Sequence, residues 1–335
     1  MTFRNLVATG LNVTRILDVL GRFNRPTLLV LNYHRLFESP LQTRFDEGVF
    51  SHSLDTFTRQ MAWLQSHVDI LSEADLLQII SGGRRITRQS VMITFDDGYR
   101  DNYDLAWPVM RERGIPATFF IPFNQIEGTS PPWWDQIAFM VKESRRETVT
   151  IDDEELRFSG DSGSRKLAIE QLLKRMKRTP IDQVEGFLGR ISQALEVSLP
   201  ERETLAAQFM TWDQIREVSR NGIAIGSHSM NHHVLTQLPA DQQRWELSES
   251  KGRLEDKLGR AVNSLAYPVG GRHSFNEQIK SLAQECGYKF ALSYTRGFYK
   301  NTITDPFEVH RVKSEQTPKL FKAQVFLPEL FCSSN

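Results

Sequence analysis

The chain contains the stretch Ser90-Val91-Met92-Ile93-Thr94-Phe95-Asp96-Asp97-Gly98, in which an apolar, β-branched run ends in two adjacent carboxylates. Such a run is typical of a buried strand. Two neighbouring charges are costly in a protein interior unless a cation or a reaction uses them. Because consecutive strand residues point to opposite faces, Asp96 and Asp97 serve one pocket only if the strand ends there, as Gly98 permits. We therefore predict a functional site at the end of this strand.

A second stretch, Ile223-Ala224-Ile225-Gly226-Ser227-His228-Ser229-Met230-Asn231-His232, brings two imidazoles after another short apolar run. Histidines four residues apart converge on a helical turn or in a tight loop, and imidazole is a common zinc ligand. A single histidine is better interpreted as a structural residue, and an aspartate pair alone as a capped turn. The two pairs together favour a metal site in which one carboxylate, His228 and His232 leave a position open for water.

Strand patterns alternate with helical patterns along the chain. Strands are predicted near 27–34, 90–96, 116–122, 223–228, 264–268, 289–294 and 308–314. Helices are predicted at 54–67, 73–81, 102–113, 211–221, 240–258 and 275–285. Strand followed by helix, repeated, predicts parallel βα units. The polar residues fall where strands end, which is where a (β/α) barrel has its active site.

The pattern changes between the middle strands. Helices at 133–143 and 165–196 and a short hairpin at 147–158 predict a mainly helical insertion at about 128–210, placed near the site. We expect it to extend the barrel rather than to form a separate domain. The predicted organisation is an amphipathic N-terminal segment (1–26), a barrel with its insertion (27–315) and a C-terminal tail (316–335).

Three motifs resemble those of the polysaccharide deacetylases, the family-four carbohydrate esterases that share homology with nodulation-factor deacetylases. Residues 94–98 are similar to the first motif and residues 227–232 to the second. The stretch Ala266-Tyr267-Pro268-Val269-Gly270 is similar to the third motif in its tyrosine-proline version. The likeness extends from about Leu28 to Arg311. It implies a distorted (β/α) barrel with fewer than the usual eight strands.

The resemblance also implies roles for the motif residues. Asp96 would be the general base, and Asp97, His228 and His232 would hold a divalent metal, with zinc expected. Such an ion lowers the pKa of bound water toward ~7 and polarises a carbonyl. His310, in an approximate match to the fifth motif, is the candidate general acid, although the adjacent Arg311 is the alternative residue to face the pocket.

One position departs from the family pattern and leaves a question open. Where many members carry an arginine that orients the base, this chain has Ala266, so the sequence does not say what holds Asp96. Tyr267 and Pro268 are predicted to shape the sugar pocket, with an oxyanion donor in the nearby backbone. Trp134 is a candidate for stacking on a sugar ring.

Composition limits the function classes. The 335 residues carry 41 Lys+Arg and 41 Asp+Glu, so no net charge attracts polyanions and no nucleic-acid binding is expected. Only two cysteines occur, which argues against a disulfide framework and a thiolate metal cluster. Residues 1–26 contain neither a cleavable signal nor a membrane span by pattern, which predicts a cytoplasmic protein. That segment either packs on the domain, the favoured interpretation, or makes peripheral contact with the inner membrane.

The sequence thus predicts a metal-dependent hydrolase that removes an N-acetyl group from an amino sugar of a polysaccharide or lipid-linked glycan precursor. One alternative is hydrolysis of another amide, such as an N-formyl group. A second is a catalytically impaired relative that binds carbohydrate without turnover, an idea motivated by the missing arginine and by the approximate match of the general acid, His310.

Overall fold

The computed structural model describes residues 26–158 and 162–332. The amphipathic segment predicted at 1–26 therefore lies outside the described residues, apart from its last position. The described strands are β1 (Leu28–Tyr33), β2 (Arg35–Phe37), β3 (Phe50–Ser53), β4 (Asp69–Leu71), β5 (Ser90–Phe95), β6 (Ala117–Ile121), β7 (Thr148–Ile151), β8 (Glu154–Arg157), β9 (Ile223–Ser227), β10 (Ser264–Ala266), β11 (Phe290–Leu292) and β12 (Val312–Lys313).

Helices separate most of these strands. The α-helices are α1 (Leu54–His67), α2 (Glu73–Ile80), α3 (Trp107–Arg113), α4 (Phe123–Ile126), α5 (Trp133–Glu143), α6 (Ser162–Met176), α7 (Val184–Leu195), α8 (Arg202–Ala206), α9 (Trp212–Arg220), α10 (Ala240–Leu258), α11 (Glu277–Glu285) and α12 (Pro318–Phe326). A π-helical turn, Asn102–Ala106, precedes α3, and 3₁₀ turns occur at Glu47–Val49, Ile181–Gln183, Leu235–Gln237 and Pro328–Leu330. None of the helices described here is both long and apolar enough to cross a membrane.

The main sheet is a curled parallel sheet. Seven strands follow one another in the order β11-β10-β9-β6-β5-β1-β12, and β4 pairs with the beginning of β5. A parallel bridge pairs Leu292 of β11 with Val309, three residues before β12, and so brings the two ends of this order together. The prediction of a distorted (β/α) barrel is confirmed, with seven strands in this order and β4 as an eighth strand beside β5.

Alternation along the strands decides what faces the inside of the barrel. On β1, Leu29 and Leu31 pack outward with the helices, whereas Leu28 and Val30 belong to an inner apolar cluster. The next inward position, at the carboxyl end of the strand, is the fully buried Asn32. Thr94 lies directly beside it on β5. The same period of two that builds the apolar interior therefore places polar side chains at one end of the barrel.

The insertion and the C-terminal stretch both carry regular structure. The insertion has its own apolar cluster, to which α5, the β7–β8 hairpin, α6 and α7 contribute. The stretch from 316, assigned to a tail by sequence, contains α12, in which Phe321 and Val325 are buried. Trp63 of α1 packs edge-on against Phe321.

Candidate active site

Three potential metal ligands converge at the ends of two strands. Asp97 follows β5, and His228 and His232 follow β9. The Asp97 Oδ1 atom lies 3.5 Å from His228 Nε2 and 3.3 Å from His232 Nε2. All three residues are buried, and one potential ligand atom from each lies within 4.8 Å of the others.

Left-handed backbone produces this convergence. Asp97 has a φ of 72° and Gly98 a φ of 67°, so the chain leaves the extended conformation immediately after Asp96. In the second loop Ser229 has a φ of 65° and His232 a φ of 58°. Non-glycine residues in this region cost about 1–3 kcal/mol each and cluster at functional sites. The strain turns both aspartates toward one pocket, as the adjacent carboxylates and the following glycine predict.

The three residues fit a divalent metal. Asp97 Oδ1 is a buried acceptor with no hydrogen-bond partner among the described residues. The His228 Nδ1–H group donates to the Ala266 carbonyl at 2.7 Å, which leaves Nε2 as a free lone pair toward Asp97. Donors about 2 Å from one ion at tetrahedral angles lie about 3.3 Å apart, close to the observed separations.

Charge states agree with this assignment. Burial lowers the pKa of His228 to about 4, so the imidazole is neutral near pH 7, as a metal ligand must be. Burial alone would raise the pKa of Asp97, but the close approach of the His232 ring outweighs it and holds that pKa well below its usual range.

A buried glutamate of α10 holds the loop that joins the two histidines. The Glu246 Oε2 atom accepts the backbone N–H groups of Met230 at 2.8 Å and Asn231 at 2.9 Å. Its Oε1 atom accepts from the Asn231 side-chain amide at 2.7 Å. Because these bonds fix the backbone between His228 and His232, Glu246 sets the distance between the two imidazoles.

Asp96 is held by an arginine from the far end of the chain. Arg311 Nη1 donates to Asp96 Oδ1 at 2.6 Å and to Asn32 Oδ1 at 2.9 Å, while Arg311 Nε donates to the Ser293 carbonyl at 3.0 Å. Asn32 Nδ2 donates to the other Asp96 oxygen at 3.1 Å. This answers the question that Ala266 leaves open, since a buried guanidinium reaches the base from the residue just before β12.

The surroundings keep Asp96 ionised. Burial alone would raise the pKa of its carboxyl, but the charge and hydrogen bond of the Arg311 guanidinium outweigh that effect and lower it. His34 Nε2 lies 3.9 Å from Asp96 Oδ2, and its side chain is 25% exposed. Asp96 is therefore a carboxylate at neutral pH that lies next to the metal-ligand group.

These side chains line one cavity of about 390 Å³. Its floor includes Asp96, Asp97, His228, His232 and Arg311. His34 and Tyr294 also line it, and the insertion contributes Trp133 and Leu173. The insertion thus forms part of the wall around the candidate active site.

Trp134 lines this cavity and also contacts His232 and Tyr99. Its ring packs 4.7 Å from the His232 ring, and its Nε1–H group donates to Tyr99 Oη at 2.6 Å. The Tyr99 hydroxyl in turn donates to Asp135 Oδ2 at 3.2 Å. Trp134 is only 5% exposed, so its main contact is with a metal-ligand histidine, and Trp133 offers the more accessible ring.

The third motif contributes mainly structure. Tyr267 lines the cavity, but its hydroxyl donates to the Phe307 carbonyl at 2.9 Å and its backbone N–H donates to the Leu292 carbonyl. That N–H is consequently occupied, and an oxyanion donor elsewhere in the nearby backbone stays a prediction. Pro268 is buried in the turn that leads to Val269, which also lines the cavity.

His310 does not reach the cavity. Its Nδ1 atom lies 2.6 Å from Thr295 Oγ1, and its ring stacks on Tyr299. Along an extended segment, neighbouring side chains face opposite sides, so an inward Arg311 directs His310 away from Asp96. Sequence reasoning weighed both residues, and the structure places the arginine at the site.

Comparison with known proteins adds sequence and fold relationships. The sequence profile of the polysaccharide deacetylase family matches residues 83–291. The chain is 21% identical over 258 residues to the protein YxkH of Bacillus subtilis strain 168, covering 77% of this chain and 63% of that protein. It is 30% identical over 118 residues to a poly-β-1,6-N-acetyl-D-glucosamine N-deacetylase of Staphylococcus epidermidis, covering 32% of this chain and 40% of that enzyme. The chain thus spans less than two thirds of either relative.

A solved structure has the same fold. The deacetylase PplD of Streptococcus pyogenes, determined with acetate, superposes with a TM-score of 0.55 at 17% identity. The match covers 86% of this chain and 92% of that one. At this identity the likeness concerns the fold.

Proposed function

Because the chain belongs to the polysaccharide deacetylase family, we propose that it is a metal-dependent hydrolase that removes an N-acetyl group from an amino sugar of a polysaccharide or lipid-linked glycan precursor. The observation that carries the proposal is the convergence of Asp97, His228 and His232 beside the Asp96–Arg311 pair. Three ligands with an open position next to an ionised carboxylate suit metal-assisted hydrolysis of an amide.

Asp97, His228 and His232 would hold the ion, with zinc as the expected metal. When bound, a divalent ion lowers the pKa of water and polarises the acyl carbonyl. Asp96 takes the proton of the attacking water, since it is ionised and faces the same cavity. Arg311 and Asn32 keep its carboxylate oriented during that transfer.

The departing nitrogen needs a proton when the carbon–nitrogen bond breaks and acetate leaves. His34 is the histidine of the cavity that is not a ligand, and its ring lies on the Asp96 side. Its position is fixed by its backbone, which accepts from Asn102 Nδ2 and donates to Ser51 Oγ. We assign the acid role to His34, and His34→Gln is expected to lower kcat about 10²-fold while the metal content is kept.

The cavity walls suit a sugar substrate. Trp133 and Leu173 present apolar surface next to the buried polar floor, and aromatic rings of this kind stack on the apolar face of a sugar. The printed name of the Staphylococcus epidermidis relative specifies poly-β-1,6-N-acetyl-D-glucosamine, which makes oligomers of N-acetylglucosamine the first substrates to test. A place on the cytoplasmic side, where lipid-linked glycans are built, stays a prediction.

The alternatives concern turnover and the acyl group. The idea of a binding protein without turnover was motivated by the missing arginine and by the uncertain acid. Arg311 supplies the guanidinium that the base needs, and the kinetics of His34→Gln test the acid. Hydrolysis of another acyl amide uses the same chemistry, so the acid released identifies the acyl group.

The experiment is to incubate N-acetyl- and N-formylglucosamine oligomers with the metal-loaded protein and to quantify acetate, formate and free amine. We expect acetate and amine in equal amounts from the wild type and none from Asp96→Asn, which keeps the metal. Binding of oligomers without release of either acid by the wild type would contradict the proposal.

A further inference from the structure

We propose that a second cavity beside the catalytic one binds an anionic group, a phosphate or a carboxylate, carried by the same glycan substrate. The inference rests on the proposed function, because it names the class of glycan that the site accepts. The second cavity has a volume of about 360 Å³, and Lys313 lines both cavities.

Two neighbouring segments of the chain lead from one cavity to the other. Tyr294 and Arg311 line the catalytic cavity, and two residues later Arg296 and Lys313 line the second. The segments run side by side, since the Arg311 backbone N–H donates to the Thr295 carbonyl at 3.2 Å. Where the chain enters β12, residues two apart face the same side about 7 Å apart, so Lys313 continues the face of Arg311 outward. Arg296 lies on the neighbouring segment and lines the same second cavity.

The charge of this second cavity is positive. Arg296 and Lys313 are exposed, and among residues 26–158 and 162–332 no carboxylate lies within 4.0 Å of either cationic group. Most other arginines of the described chain, such as Arg175 and Arg244, have such a partner. Glu315 also lines the cavity, so the lining carries two positive charges against one negative charge.

An anion on the substrate would supply the missing partner. Gln316 and Thr317 add polar side chains to the lining, as a hydrated phosphate or carboxylate requires. Lys313 belongs to both cavities, so a glycan whose acetamido group lies at Asp97 brings its neighbouring unit to the two cations. The two cations would therefore favour a glycan with an anionic group over a neutral glycan.

The test compares three oligomers on the full chain: a neutral N-acetylglucosamine oligomer, the same oligomer with a reducing-end phosphate, and one that alternates N-acetylglucosamine with glucuronate. Acetate release gives kcat/KM for each, and calorimetry on the Asp96→Asn background gives binding without turnover. The variants are R296Q, K313Q and their combination. K319Q is the matched control, because Lys319 is an exposed lysine of α12 that lines neither cavity.

For R296Q/K313Q we expect kcat/KM on an anionic oligomer to fall about tenfold more than on the neutral one, with K319Q leaving the ratio unchanged. The arm that shows the loss identifies phosphate or carboxylate as the group recognised. Equal losses on all three oligomers would overturn the proposal. If no oligomer releases acetate, the proposed function fails, but calorimetry still tests the anion subsite. The subsite would be refuted if anionic oligomers bound R296Q/K313Q in the Asp96→Asn background as tightly as they bind Asp96→Asn alone.

Discussion

Arg311 Nη1 lies 2.6 Å from Asp96 Oδ1, although the two residues are 215 positions apart in the chain. Arg311 is 1% exposed and Asp96 3%. A buried pair of this kind costs desolvation, but loss of one partner leaves the other charge uncompensated and typically costs 3–5 kcal/mol, as an order of magnitude. The conformation and charge of the candidate base therefore depend on the segment that leads into β12, the last strand of the barrel.

Arg311→Met is expected to lower kcat about 10²-fold or more at pH 7, because the isolated Asp96 carboxyl retains its proton and loses its orientation. Arg311→Lys is expected to restore part of the activity, since an ammonium supplies the charge without the fork of donors. Kinetics and metal analysis on both variants check this, with the exposed Arg88→Met as control. Wild-type kcat in Arg311→Met would remove the positioning role.

Glu246→Gln is expected to weaken metal binding about 10- to 100-fold, because the loop between His228 and His232 loses a charged acceptor for its backbone N–H groups. Competition with a chelator of known affinity measures the change. Glu249→Gln makes the same substitution three residues along α10, where the side chain pairs with Arg253 on the surface. Equal affinities in the two variants would show that Glu246 does not set the ligand geometry.

Asp135 predicts a pH dependence of stability. It is fully buried, and burial raises the pKa of its carboxyl from 3.8 to about 7, against the opposing charge of Arg35. Between about pH 4 and pH 7 the unfolded chain has released this proton while the folded chain keeps it. The free energy of unfolding therefore falls with rising pH over that window, by about 1.4 kcal/mol per pH unit from this group.

Asp135→Asn is expected to remove that contribution. The single amide oxygen still accepts from the Asp46 backbone N–H, and the amide NH₂ group, in place of the second carboxylate oxygen, donates to Tyr99 Oη. Urea unfolding at pH 5, 6, 7 and 8 gives the difference between wild type and variant. Asp241→Asn, at an exposed position, is the control. A difference that does not change with pH would contradict the assignment.

The sequence predicts most of the architecture because the spacing of apolar residues indicates where helices and strands lie. The helices at 54–67 and 240–258 have the predicted bounds, and the hairpin at 147–158 appears as β7 and β8. The short strands β2, β3 and β4 have only three or four residues, too few for a pattern. α12 was missed because its apolar face follows a region that looks like a tail, although Phe321 and Phe326 are buried.

The site was predictable where chemistry and strand ends coincide, as at Asp97 and His228. Residues whose role depends on a partner distant in sequence could not be predicted. Asn32 and Glu246 look like ordinary polar residues until β1 lies beside β5 and α10 beside the histidine loop. The choice between His310 and Arg311 depends on a one-residue register that sequence patterns do not fix.

Metal stoichiometry tests the central claim most directly. Each protein is equilibrated with one equivalent of zinc and desalted, and elemental analysis then gives the zinc retained per chain. The wild type is compared with Asp97→Ala, His228→Ala and His232→Ala. The account predicts one zinc per wild-type chain, one in Asp96→Asn, and none retained by the three ligand variants when folding is verified. Equal zinc retention in wild type and in the three ligand variants would contradict it.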